Sequence, residues 1–382
     1  MNLHAYLTQQ TFDGQRLGPG ALVVAGDRVW GIVAEGDIPD GARRSDLGPG
    51  LVAPGFLDLQ VNGGGGVMLN DAPSAATVAT IAAAHLRLGT TALLPTLITD
   101  TPATTRRAVD AVAAAIAGGV RGVIGIHLEG PHLSAARKGA HDPALIRPMD
   151  HDDLELLADA ARRLPVVVTT VAVESVTPRQ ISELARAGVI VSLGHSDAGL
   201  AGASAAAEAG ARLVTHLFNA MSQLGNREPG LAGAALALGH VHAGLIADGV
   251  HVHPETIRAA LAAKRGPGGI FLVTDAMAVA GTDLGSFTLN GRTVLRADGR
   301  LTLADGTLAG ADTDMAASLR FLARRVGLPL TQVLKMASSA PAQAIGRGGD
   351  LGCLVPGGRA DFVHLTPGLE LSGVWQGGRR AR

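Results

Sequence analysis

The chain has a single cysteine, Cys353, among its 382 residues. That excludes an intramolecular disulfide and a thiolate metal cluster. Aromatic residues are only 3% of the sequence, which argues against base-stacking platforms and sugar-stacking clefts. No sign of charge is in excess: Lys+Arg 32 stand against Asp+Glu 33, a net charge of -1, so nothing attracts nucleic acid or an anionic membrane in bulk. Any anionic partner has to be held locally. Lysine is confined to Lys138, Lys264 and Lys335, so nearly every cation is an arginine and an isolated surface arginine carries little information. No apolar run approaches a membrane span, and the opening MNLHAYLTQQTFDG has no basic stretch followed by an apolar one. These absences predict a soluble cytoplasmic protein with no nucleic-acid and no membrane partner. Against them stands a hydrophobic content of 47%, enough for a large core and, at roughly 150 residues per domain, for about two domains.

Short runs rich in Val, Ile and Leu alternate with Ala-rich segments of helical length. The runs are Gly50 to Gln60, Thr91 to Thr99, Val123 to Glu129, Val166 to Val173, Val189 to His195, Arg212 to Phe218, Ala243 to Gly249 and Ile270 to Ala276. Near-continuous apolar stretches of this kind suit strands buried on both faces of a parallel sheet. Helices are expected at Thr77 to Leu88, Thr104 to Ala117, Asp152 to Arg163, Pro178 to Ala187 and Glu255 to Lys264, with caps at Thr177 and at Gly89, Gly118 and Gly188. The pattern predicts an α/β fold: a (β/α)8 TIM-like barrel over residues 51–346. An open doubly wound sheet is the weaker alternative, because no Gly-rich dinucleotide turn follows an early strand. Residues 1–50 and 347–382 show short runs split by Gly, Pro and Asp, and predict one small β-sandwich domain built from both termini. A β-hairpin insertion is expected near 286–303, with turns at Asn290-Gly291 and Asp298-Gly299.

Histidine is unevenly spread: 11 of the 13 lie between His85 and His253. In a barrel of this type the active site forms at the carboxyl ends of the strands. Reading those ends gives Gln60 and Asn62, then Glu129, His195, His216, Asp248 with His251 beyond it, and Asp275. Polar groups at the ends of oily strands are costly without a purpose. Glu129, His195 and His216 supply one carboxylate and two imidazoles, a ligand set for a divalent ion with an open position. Asp275 has no metal duty in that scheme and is placed to act as general base and acid. The loop GPHLSAARKGAHDP after Glu129 carries His141, a donor that could polarise a carbonyl oxygen as charge develops on it. Backbone N–H groups around Asn219 and Ala220, with Arg227 and His251, form a candidate phosphate site without any Walker sequence. The GGGG at Gly63 to Gly66 lacks the GK[ST] ending and the helix that a phosphate loop opens.

The motifs PGFLDLQVNG, HLEGPHLS with KGAH, LGHSDA, VTHLFNAMSQL, NREPGLAGA, LIADGVHV, LVTDAM and DGTLAG occur in that order. Together they resemble the N-acetylglucosamine-6-phosphate deacetylases of the amidohydrolase superfamily over nearly the whole chain. The resemblance implies hydrolysis of the acetamide of a phosphorylated amino sugar to acetate and the free amine, in amino-sugar catabolism and cell-wall recycling. It implies Glu129, His195 and His216 as metal ligands, Asp275 as base and then acid, and His141 as the group that polarises the carbonyl. It further implies Asn219, Ala220, Arg227 and His251 as phosphate and sugar contacts, in a homodimer whose Arg227 reaches the neighbouring active site. Many members of the wider superfamily carry His-x-His at the end of the first strand, where this chain has Gln60-Val61-Asn62. Carboxamides are poor ligands compared with imidazole. One divalent ion per site is therefore expected, Zn by preference with Fe, Co or Mn as alternatives, and Gln60 and Asn62 at most as contacts behind the ligands. The galactosamine epimer, another amidase or deacylase on the same fold, and a scaffold without catalysis are the rival readings. The anion cluster speaks against the general amidase, and the intact Glu129, His195, His216 and Asp275 set against the scaffold.

Overall fold

The computed structural model describes residues 2–382. Eight parallel strands follow one another around a barrel: β1 (Phe56–Val61), β2 (Thr90–Ile98), β3 (Ile126–Glu129), β4 (Val167–Val171), β5 (Ile190–Leu193), β6 (Leu213–Val214), β7 (His242–Leu245) and β8 (Ile270–Leu272). All residues of β1 to β4 are buried, because helices cover the outside while side chains fill the inside. The ring closes through one parallel bridge from Val61 to Ala276, with the Asp275 N–H donating to the Gln60 carbonyl over 3.0 Å. Beneath that seam the buried Asp58 accepts from the Gln60 N–H, the Thr274 N–H and the Thr274 hydroxyl. A carboxylate thus ties the first strand to the last where ladder pairing runs out. Burial pushes its pKa up to about 7.

Seven helices follow the first seven strands: α1 (Ala75–Arg87), α2 (Pro102–Ala117), α3 (His151–Arg163), α4 (Pro178–Arg186), α5 (Leu200–Ala209), α6 (Gly230–Ala237) and α7 (Pro254–Ala263); α8 (Met315–Phe321), α9 (Leu330–Ala337) and α10 (Ser339–Ala344) come after β8. The five helices expected from the sequence all form, with ends displaced by no more than two residues. Side chains fix their starts. In α4 the Thr177 side chain accepts from the Gln180 N–H, the Gln180 side chain returns to the Thr177 N–H, and Pro178 takes the first helical position. Asp150 and Asp153 make the same reciprocal pair at α3.

Two expectations need correction. The run Gly50 to Gln60, read as one barrel strand, divides at Gly55: Leu51–Pro54 pairs with Gln10–Phe12 and Phe362–Leu365 in a terminal sheet, and the barrel starts only at Phe56. At the switch, the Gly55 N–H donates to Asp361 and the Phe56 N–H to Gly89. A Cβ at Gly55 would lie 2.0 Å from the Thr91 hydroxyl, so the chain crosses between sheets where no side chain fits. The hairpin near 286–303 is larger than expected: β9 (Ser286–Leu289), β10 (Arg292–Ala297), β11 (Arg300–Thr302) and β12 (Leu308–Ala311) form a four-stranded antiparallel sheet. Both central residues of its two tight turns have positive φ, 49° and 73° at Asn290-Gly291 and 50° and 70° at Asp298-Gly299, the twist a two-residue hairpin requires.

Two further sheets lie outside the barrel, one built from the N-terminal strands alone and one from both chain ends. One pairs Leu3–Leu7, Ala21–Ala25, Arg28–Val33 and Arg43–Asp46; the other joins Leu51–Pro54 and its neighbours to Phe362–Leu365 and Leu371–Gln376. They meet through Tyr6, Leu22, Val52, Phe362 and Trp375. Among the described residues no helix is long and apolar enough to cross a membrane.

Candidate active site

Glu129 is the last residue of β3, His195 and His216 lie two residues past β5 and β6, and Asp275 three past β8. Together with Asn62, His141, Asn219, Ala220 and His251 they line one cavity of about 380 Å³ at the carboxyl end of the barrel. That size suits a small ligand. The backbone at and beside it is unusual: of eight non-glycine residues with positive φ among the described residues, His195, His216, Phe218, Ala220 and Asp275 are five. Such conformations cost free energy and persist only where the surroundings impose them; His195, His216 and Asp275 each stand two or three residues past a strand end, and with Ala220 they line the cavity.

Three atoms converge at the floor. The Glu129 Oε1 lies 3.1 Å from the His195 Nε2 and 3.0 Å from the His216 Nε2, and the two nitrogens are 3.1 Å apart. All three residues are buried, at 2%, 4% and 4% exposure. An ion held at its usual ligand distances spaces tetrahedral ligands roughly 3.3 Å apart, so the donor set fits a divalent metal. The His195 Nδ1 lies 2.8 Å from the Arg137 carbonyl; its proton belongs there, which leaves the Nε2 lone pair facing the cluster. Burial alone would raise the Glu129 pKa, but the two imidazoles beside its carboxylate hold it well below the ordinary carboxylate range. His216 is shifted up in spite of its burial, by the Glu129 carboxylate. A nitrogen of His141 also lies within 4.8 Å of the Glu129 and His195 ligand atoms.

Asp275 faces this cluster across two carboxamides. The Gln60 Nε2 donates to the Glu129 Oε2 and to the Asp275 Oδ1, each over 3.1 Å, and the Asn62 Nδ2 donates to the same Asp275 oxygen over 2.7 Å. Gln60 is therefore a bridge between two acids, with its nitrogen and not its oxygen turned to them. Burial, and after it the Glu129 charge, pushes Asp275 up to about 6, in the range where a carboxylate exchanges protons near neutrality. His141 is held by Thr99, whose hydroxyl lies 2.7 Å from Nδ1 and whose N–H approaches the same nitrogen at 3.4 Å. Burial, then the neighbouring His195, lowers its pKa to about 3. A neutral ring that accepts at Nδ1 carries its proton on Nε2, ready to donate.

On the far side of the mouth, His251 is oriented by Asp248, whose carboxylate lies 2.6 Å from Nδ1 and accepts the Val250 and His251 N–H groups. Asn219 turns its amide back onto the His216 and Leu217 carbonyls, and among the described residues the Ala220 N–H has no acceptor in the chain. Arg227 is the one expected contact that the structure does not bring in. It is exposed, on a loop whose Leu224 is 60% exposed, and it does not line the cavity. Sequence reading missed Thr99, Gln60's double contact and the wall residues Ile98, Met277 and Leu289. Thr99 alone left a signal, as a polar residue at the end of an oily strand.

Comparison with known proteins places these features in a family. The model of the Amidohydrolase family matches residues 51–381. The chain is 44% identical over 332 residues to the N-acetylgalactosamine-6-phosphate deacetylase of Shewanella sp. (strain ANA-3), covering 87% of this chain and 83% of that one. It is 34% identical to the N-acetylglucosamine-6-phosphate deacetylase of Haemophilus influenzae, over 94% of each chain. The crystal structure of N-acetylglucosamine-6-phosphate deacetylase from Pasteurella multocida superposes with a TM-score of 0.94 at 35% identity, over 99% of each chain.

Proposed function

This chain belongs to the amidohydrolase family, and from that premise we propose that it hydrolyses the acetamide of N-acetylglucosamine 6-phosphate to acetate and glucosamine 6-phosphate. The observation that carries the reading is the single cavity that joins the Glu129, His195 and His216 donor set to Asp275 and His141 on one side and to Asn219, Ala220 and His251 on the other. Glu129, His195 and His216 would hold a divalent ion, one per site and Zn by preference, which would supply Lewis acidity and a water of lowered pKa. Asp275, raised in pKa by burial, takes a proton from the attacking water and returns it to the nitrogen, so that an amine and not an amide anion departs. Gln60 and Asn62 hold its carboxylate in place. His141 donates from Nε2 to the acetamide oxygen as charge builds there.

The phosphate rests on the Asn219 and Ala220 backbone and on His251, with Arg227 arriving from a second copy of the chain in a cytoplasmic homodimer. The exposed position of Arg227, outside its own cavity, supports that assignment. Arg227→Ala should mainly raise KM for the phosphorylated substrate; an unchanged KM removes the role. A second reading has its own support: the 44% identity to an N-acetylgalactosamine-6-phosphate deacetylase favours the epimer that differs at one hydroxyl. Acetate release from both 6-phosphates, after chelation and readdition of defined metals, tests the proposal. Metal-dependent release from at least one epimer is expected. No release from either contradicts it.

A further inference from the structure

The four-stranded sheet inserted after β8 has no place in the chemistry above, yet it reaches the cavity. Leu289, at the end of β9, and Thr307 and Leu308, at the start of β12, are among the lining residues. Leu289 packs in one apolar cluster with Ile98 from the end of β2, Met277 from the segment after Asp275, and Ala140, the residue before His141. Arg292, at the start of β10, donates to the Ala140 carbonyl. The hairpin tip and the His141 loop are therefore tied to each other.

Strand order shows where this wall stands. The sheet runs β1 to β8 in sequence, so Ile98 on β2 lies diametrically across the barrel from His216 and Asn219 after β6, and Met277 and the insertion fill the arc between β8 and β2. A planar acetamide has three directions to satisfy. Its oxygen turns to His141 and the Glu129, His195 and His216 set, and its nitrogen leads to the sugar and the anion side at Asn219, Ala220 and His251. The methyl is left facing the remaining arc. We infer that Leu289, Met277 and Ile98 form the stop against which the acyl methyl rests, so that the inserted sheet sets the length of acyl group the enzyme accepts. The inference rests on the deacylation reading above and names the residues that choose the acyl group.

The physical basis is packing. The three side chains are 1–5% exposed, and a wall at protein density accommodates one further methylene only by shifting. Discrimination by one methylene in an apolar pocket is worth about 10–200-fold. The test compares kcat/KM for the N-acetyl, N-propionyl and N-butyryl derivatives of the amino-sugar 6-phosphate that the wild-type enzyme prefers. Leu289→Ala and Met277→Ala should raise the butyryl-to-acetyl ratio at least tenfold. Leu289→Val, a smaller change that spares the fold if the alanine variant is unstable, should raise the propionyl ratio alone. Leu295→Ala, on the same inserted sheet but 54% exposed and off the cavity, should leave every ratio unchanged. Acetate release by the wild type with ratios unmoved in all Leu289 and Met277 variants overturns this inference and leaves the deacetylase reading standing. A wild type that releases acetate from neither 6-phosphate overturns the reading and the inference with it.

Discussion

The barrel mouth and the terminal sheets treat the same residue type in opposite ways. His364, in the terminal sheet, sits between the Ser372 hydroxyl at 2.6 Å and the Thr8 hydroxyl at 3.2 Å, so both ring nitrogens are satisfied by groups of the chain itself. His216, equally buried, points its Nε2 at Glu129 and at another imidazole, and its Nδ1 has no partner. Around His364 the backbone is extended and the core is the stacked Phe362 and Trp375, 4.7 Å apart, with Tyr6 edge-on. Around His216 the backbone is strained and the acids are displaced from their ordinary pKa values. Buried polar groups normally find partners. Where they converge on one another instead, the fold has left a place for something from outside.

On that contrast, damage at the mouth should cost activity and damage at the terminal sheets should cost stability. Asp275→Asn removes the proposed proton carrier while keeping the shape that Gln60 and Asn62 grip, and should lower kcat by roughly 10³-fold with the melting temperature and the bound metal, read by elemental analysis, unchanged. Loss of the metal would make Asp275 a ligand. Phe362→Ala is the counterpart: it should cost about 3–5 kcal/mol in urea unfolding while kcat/KM of the remaining folded enzyme stays at the wild-type value.

Asp58 refines the contrast, because it lies in the barrel yet does a structural job. Its folded-state pKa, about 7, stands above the 3.8 of an ordinary carboxyl, so between those values the native chain binds a proton that the unfolded chain has lost. Stability from this group is complete below the unfolded value and falls as pH rises through about 7, by up to about 4 kcal/mol. Asp58→Asn keeps an acceptor for the Thr274 and Gln60 N–H groups and should flatten that slope between pH 4 and 7 in denaturant titrations. An identical slope in the variant would show that the pH dependence comes from elsewhere. The smallest effect concerns Asp275 itself, which must be ionised to accept a proton. With a pKa of about 6, it should give kcat/KM an acid limb that falls about tenfold per unit below that pH, and the limb should vanish in Asp275→Asn.

Position along the strands is legible in the amino-acid sequence, and chemistry follows from position. His127 and His195 are the same residue in similar oily runs. His127 lies inside β3, paired with the Leu59 carbonyl and the Thr170 hydroxyl, whereas His195 lies past the end of β5, where the side chain enters the mouth. Only the strand end distinguishes them, and the apolar runs show where strands end. What the sequence hides is long-range: Asp58 meets Thr274 and Arg292 meets Ala140 across 216 and 152 residues, and no local pattern announces such pairs. Gly55 hid a change of sheet, since a glycine between two apolar stretches reads the same whether or not the chain changes neighbours. The inserted sheet was visible only by its turn residues, because one face of its strands is exposed and their apolar pattern is weak.

The proposed function depends on one cavity that joins a hydrolytic centre to an anion site. The most direct test is kcat/KM for the N-acetylated amino sugar with and without its 6-phosphate, for both epimers. The phosphorylated form of the preferred epimer should be favoured by at least about 10²-fold, the scale of two or more charge-assisted contacts. Equal turnover of the two forms would mean that Asn219, Ala220, Arg227 and His251 hold no phosphate, and would contradict that function.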